Sequence, residues 1–265
     1  AIFLGIGAHD AIQMRIPGEN QTAEIIDALA FLREVNLGSG EIPGKRVIVI
    51  GGGNVAIDTA RVAKRLGAEK VTVVYRRSER EMPAYLEELQ GAREEGIEFT
   101  YLTAPARIHS QEGRVTGFEC IRTKLGKPDA SGRRRPAPVE GSEFVIACDA
   151  VIPAIGQKMD LSWSTAAPDL KLTSKSTFRV NPHTFQTSVP DVFAAGDAVT
   201  GPATVIEAVA AGHKVVAAMH RFISGEDLDQ YAAERLAEEP LGTDWQQIPE
   251  KTQDTPRVVS THLAS

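Results

Sequence analysis

The sequence predicts an α/β fold in which a doubly wound βαβ module interrupts a second α/β domain. Three observations predict it. The apolar strand RVIVI at 46–50, a glycine bend and a helical stretch at 54–66 follow one another, and a second apolar strand, KVTVVY, follows at 70–75. Two strands joined by a helix argue for a parallel pair with a right-handed crossover. Two apolar runs closed by glycine, AIFLGIGA at 1–8 and DAVIPAIG at 149–156, stand on either side of that module.

The totals bound the alternatives. A chain of 265 residues, 42% hydrophobic and 24% charged, has the length and composition for a sizeable core. A net charge of −6 gives no reason to expect nucleic acid or an anionic membrane surface. No apolar run is long enough to span a bilayer. Cys120 and Cys148 lie far apart and no CxxC is present, so a dithiol redox centre and a four-thiolate cluster are unsupported. Two buried thiols in a reducing cytoplasm are expected. Residue 1 is not methionine, and residues 227–265 are polar without a continuous core pattern. Both ends read as cut points of a longer chain.

In order along the chain, residues 2–6 read as a buried strand and Pro17-Gly18 as a turn. Helical spacing at Ile25, Ile26, Leu29, Leu32 and Val35 predicts a helix over 23–35. A linker, GSGEIPG, follows at 38–44, and then the βαβ unit, whose helix is closed by Gly67. Proline opens a further helix at 83–95 and Gly96 closes it, before a strand at 97–102. Short alternation with interspersed glycines over 106–145 predicts antiparallel hairpins, with Arg133-Arg134-Arg135 at a solvated tip. Strands at 149–156 and 191–197 and a helix at 203–223 complete the pattern. That helix is expected to carry Val205, Ile206, Val209, Val215, Val216 and Met219 on its apolar side.

Four motifs carry chemistry. Gly51-Gly52-Gly53-Asn54-Val55-Ala56 has the form G-x-G-x-x-A between a strand and a helix. Gly51 permits a tight turn, Gly53 removes a side chain from the path of a pyrophosphate, and Ala56 keeps helix and sheet close. The helix start then offers unpaired N–H groups to phosphate. This is a Rossmann-like nucleotide site. At the end of the next strand, where a ribose-binding acid is expected for NADH, stand Arg76 and Arg77. Guanidinium groups grip a 2′-phosphate that an acid repels, which favours NADPH. The third motif is the pair Gly7-Ala8 and Ala154–Gly156. It marks where the chain leaves and re-enters the outer domain, although spacing alone fits two unrelated strand–glycine turns equally well. The fourth is DVFAAGD at 191–197 with ATVIEA at 203–208. Asp197 could accept hydroxyl hydrogen bonds or serve as a turn acid, and the helix start offers N–H groups.

These motifs resemble those of the FAD-dependent pyridine nucleotide oxidoreductases, most closely the small (beta) subunits of glutamate synthase and their relatives. The resemblance rests on VIVIGGGNVAIDTARVAKRLGA (47–68), VTVVYRRSEREMPA (71–84), AREEGIEF (92–99), GKPDASGRRR (126–135) and VFAAGDAVTGPATVIEAVAAGHKVV (192–216), and runs from residue 1 to about 225. It implies an α/β architecture: a Rossmann-like NAD(P)H-binding domain inserted in the remaining half of a FAD-binding three-layer domain. The divisions implied are a FAD-domain segment at 1–22, an NADPH-binding domain at 23–148, a FAD-domain segment at 149–225 and a polar tail at 226–265. Gly51 to Ala56 with Arg76 and Arg77 would hold NADPH. Gly7, Ala8, Ala154, Gly156, Gly196, Asp197, Ala203, Thr204, Val205 and Ala208 would line FAD, with Asp197 at the ribityl chain and Thr204-Val205 near the isoalloxazine.

The activity implied is hydride transfer from NADPH to FAD, with electrons passed on to iron–sulfur centres or a partner subunit; homo-oligomerisation is left open. The resemblance names no general base. The glycine loop for the ADP part of FAD and a cysteine-rich cluster domain, both present in the family, are not found in this sequence. The alternative is a non-catalytic nucleotide-binding or assembly module.

Overall fold

A computed structural model of the protein describes residues 1–128 and 134–237. In chain order its strands are β1 (Ile2–Leu4), β2 (Asp10–Ala11), β3 (Arg46–Ile50), β4 (Lys70–Val74), β5 (Glu98–Thr100), β6 (Thr103–Gln111), β7 (Arg114–Pro128), β8 (Arg134–Ala147), β9 (Ala150–Pro153), β10 (Gln157–Lys158) and β11 (Val192–Ala194). The α-helices are α1 (Ala28–Asn36), α2 (Asn54–Arg65), α3 (Leu86–Glu94), α4 (Asp197–Thr200), α5 (Val205–Ile223) and α6 (Leu228–Ala237).

The main sheet is four-stranded and parallel, in the order β5-β4-β3-β9. Its central strands are buried at every position past the first, and apolar there except for Thr72, because both faces are covered. Val47 and Val49 of β3 face one way and pack with Ala56, Ile57 and Ala60 of α2, Phe31 of α1 and Leu89 of α3. Ile48 and Ile50 alternate to the other face and meet Ile108, Phe118, Cys120 and Cys148 from the β6–β8 side. There, β6, β7 and β8 form an antiparallel meander. The result is three layers: helices, parallel sheet, antiparallel sheet. The two cysteines are fully buried, and burial pushes both thiols up to about 12.

The outer part is assembled from both ends of the described chain. β1 pairs in parallel with β11, placing Ile2 opposite Val192. Phe193 and Ala195 pack with Val215 and Ala218 of α5 and with Leu228 and Tyr231 of α6. Ala194 faces the opposite way, against Met159, Phe178 and Ala198. The two crossings between the parts run side by side, since β2 and β10 form an antiparallel ribbon with Ala11 opposite Gln157.

Several expectations are corrected. The strand expected to be buried at residues 2–6 is short, and Ile2 and Phe3 are exposed, because β11 is its only neighbouring strand among the described residues. The helix expected from residue 23 starts at Ala28: Ile25 bridges to Val151, Ile26 N–H donates to the Val151 carbonyl, and Asp27 caps the helix by accepting from Ala30 N–H at 2.7 Å. The helix expected from Pro83 starts at Leu86. The division expected at 148/149 falls inside the parallel sheet, because β9 pairs with β3 and not with β1 or β11. Within the expected polar tail, α6 buries Leu228 and Tyr231. Arg134 and Arg135 lie in β8, while Arg133 lies outside the described residues. No helix among the described residues is long and apolar enough to cross a membrane.

Candidate functional site

Each glycine of the 51–53 bend answers a different steric demand. At Gly51, φ is 149° and a Cβ would lie 2.3 Å from the Ala154 carbonyl oxygen and 3.1 Å from the Ala56 Cβ. At Gly52 a Cβ would lie 2.5 Å from the Tyr75 ring. At Gly53 a Cβ would meet nothing within 4 Å. The first two glycines are thus required by the protein's own packing. Gly53 opens on free space at the start of α2, where it occupies the N-cap position with no side-chain cap. Its carbonyl accepts from Ala56 and Ile57 N–H. Among the described residues no acceptor meets the N–H groups of Asn54 and Val55, so both remain for a ligand at the positive end of the helix. Bend and helix start therefore fit a pyrophosphate.

A second rim folds onto this loop. Tyr75 donates its hydroxyl to the Glu81 carbonyl at 2.7 Å, Ala84 N–H donates to the Gly52 carbonyl at 3.1 Å, and Tyr85 N–H donates to Asn54 Oδ1 at 3.1 Å. The Asn54 side chain is thereby committed to bracing the rim, and helix α3 is delayed to Leu86.

The two arginines after β4 part company. Arg76 is exposed, and its guanidinium has no hydrogen bond or ion pair among the described residues. Arg77 is 5% exposed and its Nε donates to the Arg134 carbonyl at 2.7 Å, beneath the β7–β8 hairpin. The expectation that both contact a 2′-phosphate is corrected for Arg77, which is enclosed by the antiparallel sheet. Arg80, also exposed and four residues beyond Arg76, was not singled out from the sequence. Its place on the same rim is the signal that could have found it.

Of the remaining expected residues, Ala8 and Asp197 line a second cleft of about 270 Å³, together with Gln157, Lys158, Met159, Lys175, Thr177, Thr200, Gly201 and Pro202, while Gly7, Ala154, Gly156, Gly196, Ala203, Thr204, Val205 and Ala208 are not in its lining. Gly7, with φ 67°, turns the chain into it after β1. Gly196, with φ 69°, presents Asp197 from the end of β11. Asp197 Oδ1 accepts from Ala203 N–H at 3.2 Å, which ties the carboxylate to the start of α5. Thr204 and Glu207 close a capping box there, Thr204 N–H donating to Glu207 Oε2 at 2.8 Å and Glu207 N–H to Thr204 Oγ1 at 3.3 Å. The hydrogen bonds from Thr204 hold the Glu207 carboxyl below its ordinary range. The helix start keeps the N–H groups of Val205 and Ile206 without an acceptor among the described residues. Val205 and Ile206, on the expected apolar side of α5, are 81% and 73% exposed, and Val209, Val216 and Ala208 are exposed with them. An apolar platform with two free N–H groups beside a carboxylate fits the mixed surface of a flavin. Lys158 and Lys175 are cleft residues that the sequence analysis passed over.

The clefts are joined by very little chain. Ala154, at the end of β9, sits against Gly51, and Gln157 lines the second cleft. Three residues can span at most about 11 Å. Gly156, with φ 131°, makes the turn between them, and its carbonyl accepts from Ile12 N–H at 3.1 Å.

A nucleotide bend on a parallel sheet, joined by a short connector to a second ligand cleft, defines a two-ligand oxidoreductase class of architecture. Comparison with known proteins makes this specific: residues 1–212 match the family model described as pyridine nucleotide-disulphide oxidoreductase, and the chain belongs to that family. It is 44% identical over 225 residues to the NADP(+)-dependent formate dehydrogenase subunit beta of Moorella thermoacetica, covering 84% of this chain and 32% of that protein. It is 40% identical over 231 residues to the glutamate synthase [NADPH] small chain of Escherichia coli, covering 81% of this chain and 48% of that one. The chain thus spans about a third to a half of the length of these curated relatives. Among solved structures, FprA of Mycobacterium tuberculosis in complex with NADPH superposes with a TM-score of 0.69 at 19% identity, over 89% of this chain and 68% of that one, a likeness of fold. Family membership bears out the resemblance drawn from the sequence, the class of NAD(P)H-dependent oxidoreductase, and NADPH with FAD as the cofactor pair.

Proposed function

We propose that the chain holds NADPH at the Gly51–Ala56 bend and FAD at the Asp197 cleft, as part of a cytoplasmic flavoprotein subunit. That subunit delivers electrons to iron–sulfur centres or to a partner subunit. The observation that carries this reading is the connector 154–157, which runs from the wall of the pyrophosphate-shaped bend at Ala154 to the lining of the Asp197 cleft at Gln157 and spans at most about 11 Å. When bound, NADPH and FAD supply the hydride donor and acceptor. The chain supplies position. Asn54 and Val55 N–H groups orient the diphosphate, and Gly53 leaves room for it. Arg76 meets the extra phosphate on the adenosine ribose. Asp197, held by Ala203 N–H, keeps its second oxygen for a ribityl hydroxyl. The N–H groups of Val205 and Ile206, without an acceptor among the described residues, would donate to a bound flavin and favour negative charge on it. No side chain is assigned to move a proton.

Titration calorimetry of the full chain with NADP+ and NAD+ tests the nucleotide half. Arg76→Ala is expected to weaken NADP+ about tenfold or more, the loss of one charge-assisted hydrogen bond, and to leave NAD+ unchanged. Equal losses for both nucleotides overturn the assignment. Flavin absorbance after adding FAD tests the other half: a chain that binds NADP+ yet takes up no FAD supports the non-catalytic nucleotide-binding module instead.

A further inference from the structure

The strand end that carries Arg76 is held by more than its own sheet, to which Tyr75 N–H still donates at the Thr100 carbonyl. The carbonyls of Tyr75, Arg76 and Arg77 each accept a hydrogen bond from the antiparallel layer or its entrance. Thr103 N–H donates to Tyr75, Thr123 Oγ1 to Arg76 at 2.8 Å, and Leu102 N–H to Arg77. The pairing of β7 with β8 breaks between Ile121, opposite Glu143, and Thr123, opposite Pro138, so the extra residues, 139–142, lie in β8, while Arg122 stays in register with Thr103 of β6. Such an irregularity bends the strand that carries it, at the level where Thr123 meets the end of β4. The bend is secured on both sides. Arg122 N–H donates to Ser142 Oγ at 3.1 Å, its guanidinium donates to Thr103 Oγ1 at 3.2 Å, and the same group lies 4.2 Å from the Phe144 ring centre. β6 stops pairing at Arg122, so from Thr123 onward β7 continues with β8 as a free-standing hairpin over the end of β4. From the far strand, the Arg134 carbonyl accepts the Arg77 Nε, while the Arg134 side chain donates to the Leu125 and Gly126 carbonyls across the hairpin.

We infer that the β7–β8 hairpin sets the preference for a 2′-phosphorylated nucleotide, with Thr123 as the positioning residue that holds Arg76 in place. This rests on the NADPH reading above and assigns its selectivity to a different layer of the fold. The parallel sheet and the glycine bend serve the diphosphate that NADPH and NADH share. The hairpin serves only the phosphate by which they differ. Arg77 contributes as a brace between strand end and hairpin, and Arg122, tied to Ser142, Thr103 and Phe144, steadies β7 next to Thr123.

The test uses the full chain, NADP+ and NAD+ as probes, and Thr123→Val, which keeps the shape and removes the hydroxyl. Loss of one hydrogen bond at the strand end is expected to weaken NADP+ about fivefold and leave NAD+ unaltered. Thr123→Ser, which keeps a hydroxyl, is expected to restore NADP+ affinity. In an Arg76→Ala background the Thr123→Val change is expected to alter NADP+ affinity by less than about twofold, because two residues acting through one contact are not additive. Parallel weakening of both nucleotides, an unaltered NADP+ affinity in Thr123→Val, or a loss that persists in the Arg76→Ala background each overturns the hairpin's role. An unmodified chain without preference for NADP+ overturns the NADPH reading itself, and this inference with it.

Discussion

Three consecutive glycines at 51–53 look interchangeable in the sequence and are not. Gly51 holds φ 149° against the Ala154 carbonyl, so Gly51→Ala forces backbone apart at the centre of the sheet. Gly53 has an ordinary φ of −90° and nothing beside it, so Gly53→Ala leaves the fold alone and intrudes on the ligand. Thermal unfolding with nucleotide titration separates the two. Gly51→Ala is expected to lower the melting temperature by several degrees, in line with a cost of about 1–3 kcal/mol for a strained residue. Gly53→Ala is expected to melt with the parent and lose most of its affinity for NADP+ and NAD+ alike. A Gly53→Ala chain that binds as the parent does removes the diphosphate from this bend. The same contrast runs through Arg76 and Arg77: two adjacent identical residues, one in solvent and one under the hairpin. Pattern named the pair but could not divide it, because the division depends on Arg134, 57 residues away.

Elements were legible where local pattern and tertiary packing agree. β3, α2 and β4 stand where the apolar runs and the glycine bend put them, since both faces of β3 and β4 are covered and the buried residues of α2 lie against the sheet. Departures occur where a neighbour claims the backbone. Residues 25 and 26 have helical spacing, yet Val151 takes them as an edge pairing. Pro83 has the character of a helix opener, yet Ala84 and Tyr85 donate to the glycine loop, so the helix waits for Leu86. The apolar stripe of α5 stands where the periodicity puts it, and much of it is exposed, since periodicity reports a face but not what covers it.

Register at the start of β9 is set by a charge. Asp149 accepts from Arg46 N–H at 2.8 Å and from the Arg46 guanidinium at 2.5 Å, and its own N–H donates to the Arg46 carbonyl. Hydrogen bonding from Arg46 holds the Asp149 carboxyl below its ordinary 3.8. Its folded value is depressed, so its stabilisation is full above pH 3.8 and fades as pH falls through the folded value. Asp149→Asn is therefore expected to melt below the parent at neutral pH, with the gap closing in acid. A gap of constant size across that titration, measured by calorimetry, contradicts the pairing.

At the scale of the molecule, the parts differ in how their cores are made. The nucleotide part is built from one continuous stretch, and its two buried clusters share the strands of a single sheet. The outer part is built from stretches far apart in sequence, joined where β1 meets β11. The glycine-ended runs fitted an interruption of one part by another and two unrelated turns equally well. The route of the crossings, and the attachment of β9 to the inner sheet, depended on pairings that no local pattern records. The ribbon of β2 and β10 carries a practical consequence. Ala11 and Gln157 are 146 positions apart yet sit as neighbours across one strand spacing, about 4.8 Å. Everything between them is a cassette whose loose ends already touch. Residues 12–156 expressed alone are expected to melt in one cooperative transition and to retain NADP+ binding, and a peptide without a melting transition would show that the cassette leans on its host. Lifted out, such a piece needs no long tether to be grafted elsewhere: a surface loop in another protein with ends one strand apart would accept it, and the host would close across the gap with only a residue or two.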